Sequence, residues 1–204
     1  MLCLMNKTLL FATYTVAEVS PEDWQAVFEK CQARVFPHEA EAASLQALLS
    51  DVEKTKLTGL RQNLAGARHL HFLVFDGNEP IGWHYGFQRS ELEYFMANTG
   101  ILPEYQRRGI YSALLQFLIE RAADAGFQYL TSLHHSDNNA VLVPKLKAGF
   151  VLQAFGYLIQ TMLLEANLGP MVQLVYPVKD EYRPWLGFQK GMPGAAPTTA
   201  KTNF

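Results

Sequence analysis

The stretch Asn98–Ser112, NTGILPEYQRRGIYS, holds the residues with the clearest chemical potential. A basic turn, Gln106-Arg107-Arg108-Gly109, follows an apolar run and Pro103, and opens onto Ile110-Tyr111-Ser112. Pro103 cannot donate a ladder hydrogen bond, so it ends the run as a strand. Ile110, Leu114, Leu115, Leu118 and Ile119 recur at helical spacing, which predicts a helix from Gly109 to Ala123. A helix start carries N–H groups without internal partners and the positive end of the dipole. A glycine there lets an anion approach the backbone, so the chemistry is phosphate binding. Neither GxxxxGK[ST] nor GxGxxG occurs, which excludes a P-loop and a dinucleotide fingerprint.

The surrounding elements must position that turn. Phe11–Val19 reads as a first strand, and Ser20-Pro21-Glu22-Asp23 as a helix start with a Ser cap and Pro in the first turn. Trp24, Val27, Phe28, Cys31 and Val35 continue that helix to Phe36, and a second helical region covers Glu39–Val52. His69–Phe75 and Pro80–Phe87 form a hairpin around Asp76-Gly77-Asn78-Glu79. Glu93–Ile101 is the next strand, and Gly126 closes the helix after the basic turn. Tyr129–His134 is a strand, and Ser136-Asp137-Asn138-Asn139 opens a helix ending at Ala148-Gly149-Phe150. Val151–Glu165 and Met171–Val178 close the chain's ordered part.

The order strand, Pro, QRRGIYS, helix resembles the acetyl-CoA signature of the GNAT N-acetyltransferase superfamily, [Q/R]-x-x-G-x-[G/A], with Tyr111 in the last, usually small, place. The element order over about residues 10–178 and the segment DNNAVLVPKLKAGF are similar as well. The resemblance implies an α/β (α+β) fold. Its sheet is mixed, mostly antiparallel and six- to seven-stranded, flanked by helices, with the fourth and fifth strands, Glu93–Ile101 and Tyr129–His134, parallel and splayed. It implies acetyl-CoA as acyl-donor substrate and direct transfer of acetyl to an amine, on a small molecule or a peptide. The pyrophosphate would lie on the N–H groups of Arg107, Arg108, Gly109, Ile110, Tyr111 and Ser112. The pantetheine would pair with Thr99, Gly100 and Ile101 like an added strand, and an N–H near Gly100 and Ile101 would polarise the thioester carbonyl. Asn138, with Asn139 second, fits the cofactor-contacting Asn of the following helix. One of these polar residues is also expected to cap that helix.

Proton handling departs from the family. Many members carry a Tyr acid four residues before the helix-end Gly, where this chain has Lys145 after Pro144. Tyr111, Tyr157, His134 and His135 are the substitutes considered; adjacent strand residues face opposite sides, so only one histidine can face the cleft. Glu91 and Glu93 are candidates for general base, and Trp83, His84, Tyr85 and Tyr94 either line the acceptor pocket or pack across strands.

The 204 residues are read as one acetyltransferase domain, 1–180, with a flexible extension, 181–204, rich in Gly, Pro, Ala and Thr after Gly191. A net charge of −2 argues against nucleic acid. Cys3 and Cys31 are too few for a disulfide framework and lie outside any metal-site spacing, which points to a reducing, cytoplasmic setting and no metal. MLCLMNKTLLF is interrupted by Lys7 and reads as a strand or lead-in, and no run reaches the length of a membrane span. A monomer or homodimer is expected. The missing Tyr keeps a non-catalytic acyl-CoA-binding or regulatory module as the alternative, and a phosphate-sugar or nucleotide-binding domain as a third reading.

Overall fold

The computed structural model describes residues 7–37, 50–52, 55–56, 66–157 and 170–182. Eight strands form one sheet in the order β1-β2-β3-β4-β5-β6-β8-β7. The strands are β1 (Thr8–Phe11), β2 (Tyr14–Glu18), β3 (His69–Asp76), β4 (Glu79–Gln88), β5 (Glu93–Ile101), β6 (Tyr129–His135), β7 (Val151–Tyr157) and β8 (Pro170–Pro177). The continuous α-helices among the described residues are α1 (Pro21–Val35), α2 (Ile110–Asp124) and α3 (Asn139–Lys147). All strand pairs are antiparallel except β5 with β6. Among the described residues no helix is long and apolar enough to cross a membrane.

The sheet exceeds the expected six to seven strands because the end of MLCLMNKTLLF, read as a strand or lead-in, adds Thr8–Phe11 as β1. The expected Phe11–Val19 strand is Tyr14–Glu18, and a turn at Ala12-Thr13, with Ala12 at φ 51, joins the two strands as a hairpin. The expected fourth and fifth strands are therefore β5 and β6. The expected helix over Glu39–Val52 lies outside the described residues through position 49, and so do 158–169 of the expected Val151–Glu165 strand and the tail beyond 182.

Local chemistry explains the helix ends. Ser20 Oγ accepts from the Asp23 N–H (3.1 Å), with Pro21 in the first turn, and α1 starts there. Gly126, at φ 95, follows α2 and donates its N–H to the Ala123 carbonyl (2.9 Å). The helices cover opposite faces of the sheet. Trp24 and Cys31 of α1 pack with Leu73, Phe75 and Trp83. Ile110, Leu114, Leu115, Leu118 and Ile119 of α2 pack with Phe72, Val74, Tyr94, Met96 and Leu130 on the other.

Candidate active site

The two parallel strands part company early. β5 and β6 pair only at Glu93↔Tyr129, Tyr94↔Leu130 and Phe95↔Thr131. Beyond Phe95, β5 stays on β4 while β6 stays on β8. A gap thus opens between Met96–Ile101 and Ser132–His135. The Leu102 N–H donates to the Ile81 carbonyl (2.9 Å), which fixes the hydrogen-bonding parity of this part of β5. By alternation the amide of Gly100, opposite Trp83, faces β4, while the amides of Thr99 and Ile101 face the gap. The Ile101 carbonyl already accepts from Gln106 Nε2 (2.9 Å). Thr99 and Ile101 therefore offer backbone groups to the gap, and Gly100 does not. Gly100 is glycine for another reason: a Cβ there would sit 2.3 Å from the Trp83 ring.

A bulge shapes the same strand. Tyr85 pairs with Asn98 and Gly86 with Met96, so Ala97 is the extra residue. It switches the side-chain alternation, and Met96 and Thr99 end up on one face. That face carries a buried polar cluster. His84 is fully buried, with Nδ1 2.7 Å from Thr99 Oγ1 and Nε2 2.8 Å from Tyr94 Oη. Burial first, then the Lys145 charge, pulls its pKa down to about 3, so the ring is neutral, with one nitrogen donating and one accepting. Lys145, 1 % exposed, donates from Nζ to the Met96 sulfur (3.5 Å), and its Nζ stands 4.9 Å from the centre of the Phe150 ring. Burial lowers its pKa to about 7. On β6, Ser132 Oγ and His134 Nε2 are buried and, among the described residues, without hydrogen-bond partners. Buried polar atoms of that kind are uncommon and call for an explanation.

At the far end of the gap stands the basic turn. Ala113 makes the first backward bond of α2, to the Gly109 carbonyl (3.1 Å), so the amides of Gly109, Ile110, Tyr111 and Ser112 precede the ladder. Gly109 has φ 82, a conformation side chains resist. A Cβ at 109 would meet the Phe11 ring at 3.5 Å, an ordinary contact, so the backbone angle rather than crowding requires glycine. Arg107 is left-handed too, at φ 60. Arg108 reaches Tyr14 Oη (3.5 Å) and lies over the Tyr105 ring.

The remaining sequence candidates are dispersed. Tyr111 packs against the core, and burial raises its phenol pKa, which makes it a poorer acid. Glu93 sits at the paired base of β5, accepting from Thr131 Oγ1 and facing Arg89 at 3.4 Å, away from the gap. His134 lines the gap; burial, then Lys145 and His135, lower its pKa to about 2, so it holds no imidazolium proton to give. His135 lies on the opposite face of β6. Asn138 precedes α3, but its side chain makes no capping bond; Asn139 is the first helical residue. Trp83, His84 and Tyr94 are core residues, and Tyr85 stacks on His71 across the strands, so packing accounts for these rings.

The sequence singled out Lys145 and His84 separately, but not that they meet with Met96 in one buried cluster. One signal was present: Lys145 falls on the stripe of Leu142 and Ala148, which packs against the core, where an apolar residue belongs.

The sequence pattern of the acetyltransferase (GNAT) family matches residues 22–150. No curated protein matches the chain. Among solved structures, the ribosomal-protein-S18-alanine N-acetyltransferase from Escherichia coli is 22% identical at a TM-score of 0.57, covering 81% of this chain and 94% of that one. The ribosomal-protein-S5-alanine acetyltransferase from Vibrio fischeri is 17% identical at 0.59, covering 85% and 97%. A GNAT family acetyltransferase from Elizabethkingia anophelis with acetyl-CoA bound is 16% identical at 0.56, covering 82% and 99%. These likenesses carry the fold, and the matched pattern spans both the strands that part and the basic turn. The chain belongs to the acetyltransferase (GNAT) family and is an acetyl-transferring enzyme.

Proposed function

We propose that this enzyme is an N-acetyltransferase that binds acetyl-CoA across the β5–β6 gap and passes its acetyl group to an amine. The observation that carries the proposal is the ending of the β5–β6 ladder after three pairs, with Thr99 and Ile101 amides turned into the opening. Backbone groups of that spacing suit the amides of a pantetheine arm. The unpartnered Ser132 and His134 atoms would find partners on the same arm. The amides of Gly109–Ser112 would take the pyrophosphate at the helix start, with Arg107 and Arg108 adding positive potential. Asn138, whose side chain is not spent on capping, is available to the arm from the opposite bank.

The chemistry asks for little more than positioning and charge placement. Bound acetyl-CoA supplies an activated acyl group. The amide of Ile101 or Thr99 would polarise its carbonyl as negative charge grows on oxygen. A neutral amine then attacks. Two of the named neighbours are ribosomal-protein alanine acetyltransferases, which makes peptides with a free N-terminal alanine the first acceptors to try, with small amines beside them. We read residues 1–180 as one domain, working in the cytoplasm as a monomer or homodimer; the free, buried thiol of Cys31 suits a reducing compartment.

The test combines calorimetric titration with acetyl-CoA and thiol release over the acceptor panel. Saturable binding of acetyl-CoA, with no competition from nucleotides lacking pantetheine at equal concentration, and acceptor-dependent thiol release are expected. Binding without release for every amine would favour a binding module instead.

A further inference from the structure

Beyond Phe95, β5 loses β6 as a neighbour, and among the described strands only β4 still pairs with it. A register held along one edge has less to fix it, and a slip by one residue exchanges the two sides of a strand. In this strand the register decides what the gap is offered. Before the bulge the Arg89 N–H donates to the Glu93 carbonyl (3.0 Å), so odd-numbered residues of β5 turn their backbone groups to β4. After it the Leu102 N–H donates to the Ile81 carbonyl (2.9 Å), and even-numbered residues do so. The extra residue, Ala97, makes that exchange. Without it Thr99 and Ile101 would spend their amides on β4, and Gly100 would face the gap.

One side chain of β4 spans the bulge. His84 Nε2 lies 2.8 Å from Tyr94 Oη, before Ala97, and Nδ1 lies 2.7 Å from Thr99 Oγ1, after it. The ring is fully buried and stacks on Phe72. A neutral imidazole has one donor and one acceptor nitrogen, and each hydroxyl can play either part, so both bonds form in either tautomer. Neighbouring sequence leaves room for the bridge: Tyr94 reaches back over Gly86, where a Cβ would fall on its hydroxyl. We propose that His84 is a positioning residue that clamps β5 across the Ala97 bulge and so keeps the Thr99 and Ile101 amides turned into the gap, toward the acetyl group. Being fully buried, it acts through Thr99 and not on substrate. The clamp itself belongs to the free protein; its part in acetyl transfer rests on the reading that acetyl-CoA occupies the gap.

Residue-resolved amide exchange by NMR, on the protein without ligand, reads the register directly. In wild type the Gly100 amide, bonded to β4, should exchange at least tenfold more slowly than those of Thr99 and Ile101. Thr99→Val keeps the shape of the side chain and cuts one arm of the clamp. It should cost Gly100 at least tenfold in protection relative to the amides of β8, whereas Thr99→Ser, which keeps the hydroxyl, should retain that protection. Thiol release from acetyl-CoA, with an alanine-terminated peptide as acceptor, should fall at least about tenfold in Thr99→Val, because the polarising amides lose their aim. The infrared stretch of the carbon-13-labelled acetyl carbonyl on the protein should move back toward its value in free acetyl-CoA. A third chain, His84→Phe with Tyr94→Phe and Thr99→Val, removes every polar partner at once, which costs little stability. It should regain the melting temperature that Thr99→Val loses, but neither the Gly100 protection nor the turnover. A merely structural cluster would regain all three.

Gly100 protection in Thr99→Val equal to wild type, or falling only in step with β8, would overturn the proposal. So would turnover by the triple variant within threefold of wild type. Should the triple variant not fold, Thr99→Val against Thr99→Ser decides: equal Gly100 protection in the two overturns the clamp. Failure of wild type to bind acetyl-CoA would overturn the cofactor reading and the role in transfer with it, whereas intact binding with Gly100 protection indifferent to Thr99→Val overturns only the clamp.

Discussion

At the scale of single residues, the glycine at 109 would decide how the basic turn meets the phosphate proposed for it. Its φ of 82 is a left-handed conformation that side chains resist, and the amides that follow it precede the hydrogen-bond ladder of α2. A Gly109→Asp chain would have to leave that conformation, misaligning the donors, and would add a negative charge beside them. We expect acetyl-CoA affinity to drop at least tenfold, about 1.4 kcal/mol, with circular dichroism unchanged. Arg107→Ala should cost less, and its effect should shrink as salt rises, because an exposed charge acts through screened solvent. An unchanged affinity in folded Gly109→Asp would move the phosphate elsewhere. Gly109, Arg107 and Arg108 were legible because a short contiguous motif carries them. That Lys145, Met96 and His84 meet was not legible, because they come from three separate elements that only the fold brings together. The demotion of Gly100 has the same origin: whether its amide faces β4 or the gap depends on parity set by a bond between Leu102 and Ile81.

Among the elements, helix starts and the hairpin of β3 and β4 followed from local rules. Ser20 with Pro21, and Gly126 after α2, act within a few residues of themselves. The bulge at Ala97 leaves no such trace, and it is what brings Thr99 onto the face of Met96 and His84. The packing of β4 on β5 in this region is tight. A methyl on Gly100 would lie 2.3 Å from the Trp83 ring, which is fully buried between β5 and α1. Gly100→Ala should therefore destabilise the protein by ~1–3 kcal/mol, the usual cost of overpacking. Urea unfolding would read this as a lower midpoint at unchanged slope. A midpoint equal to wild type would show that Trp83 yields freely.

For the whole molecule, the buried titratable groups set a pH profile. His84 and His134 have folded pKa values of about 3 and about 2, below the ordinary 6.5. Depressed folded values mean that the unfolded chain binds the protons first as pH falls. Stability is thus present above pH 6.5 and lost on acidification toward pH 3, with a slope approaching two protons, ~2.7 kcal/mol per pH unit. Lys145 works at the other end. Its folded pKa of about 7 lies below the ordinary 10.5, so stability climbs as pH rises between those values. Lys145→Met should remove the alkaline climb and leave the acid fall, which unfolding at a series of pH values would record. A flat acid limb would mean that the two histidines are protonated in the folded state.

In the proposed complex acetyl-CoA lies between the parted strands, from the start of α2 to the head of the gap. Amide hydrogen exchange with and without saturating acetyl-CoA tests it most directly. Slower exchange is expected in peptides covering 96–101 and 109–112, with the β1–β2 hairpin unchanged. Protection confined to other segments, or none in either of these two despite saturable binding, would contradict it.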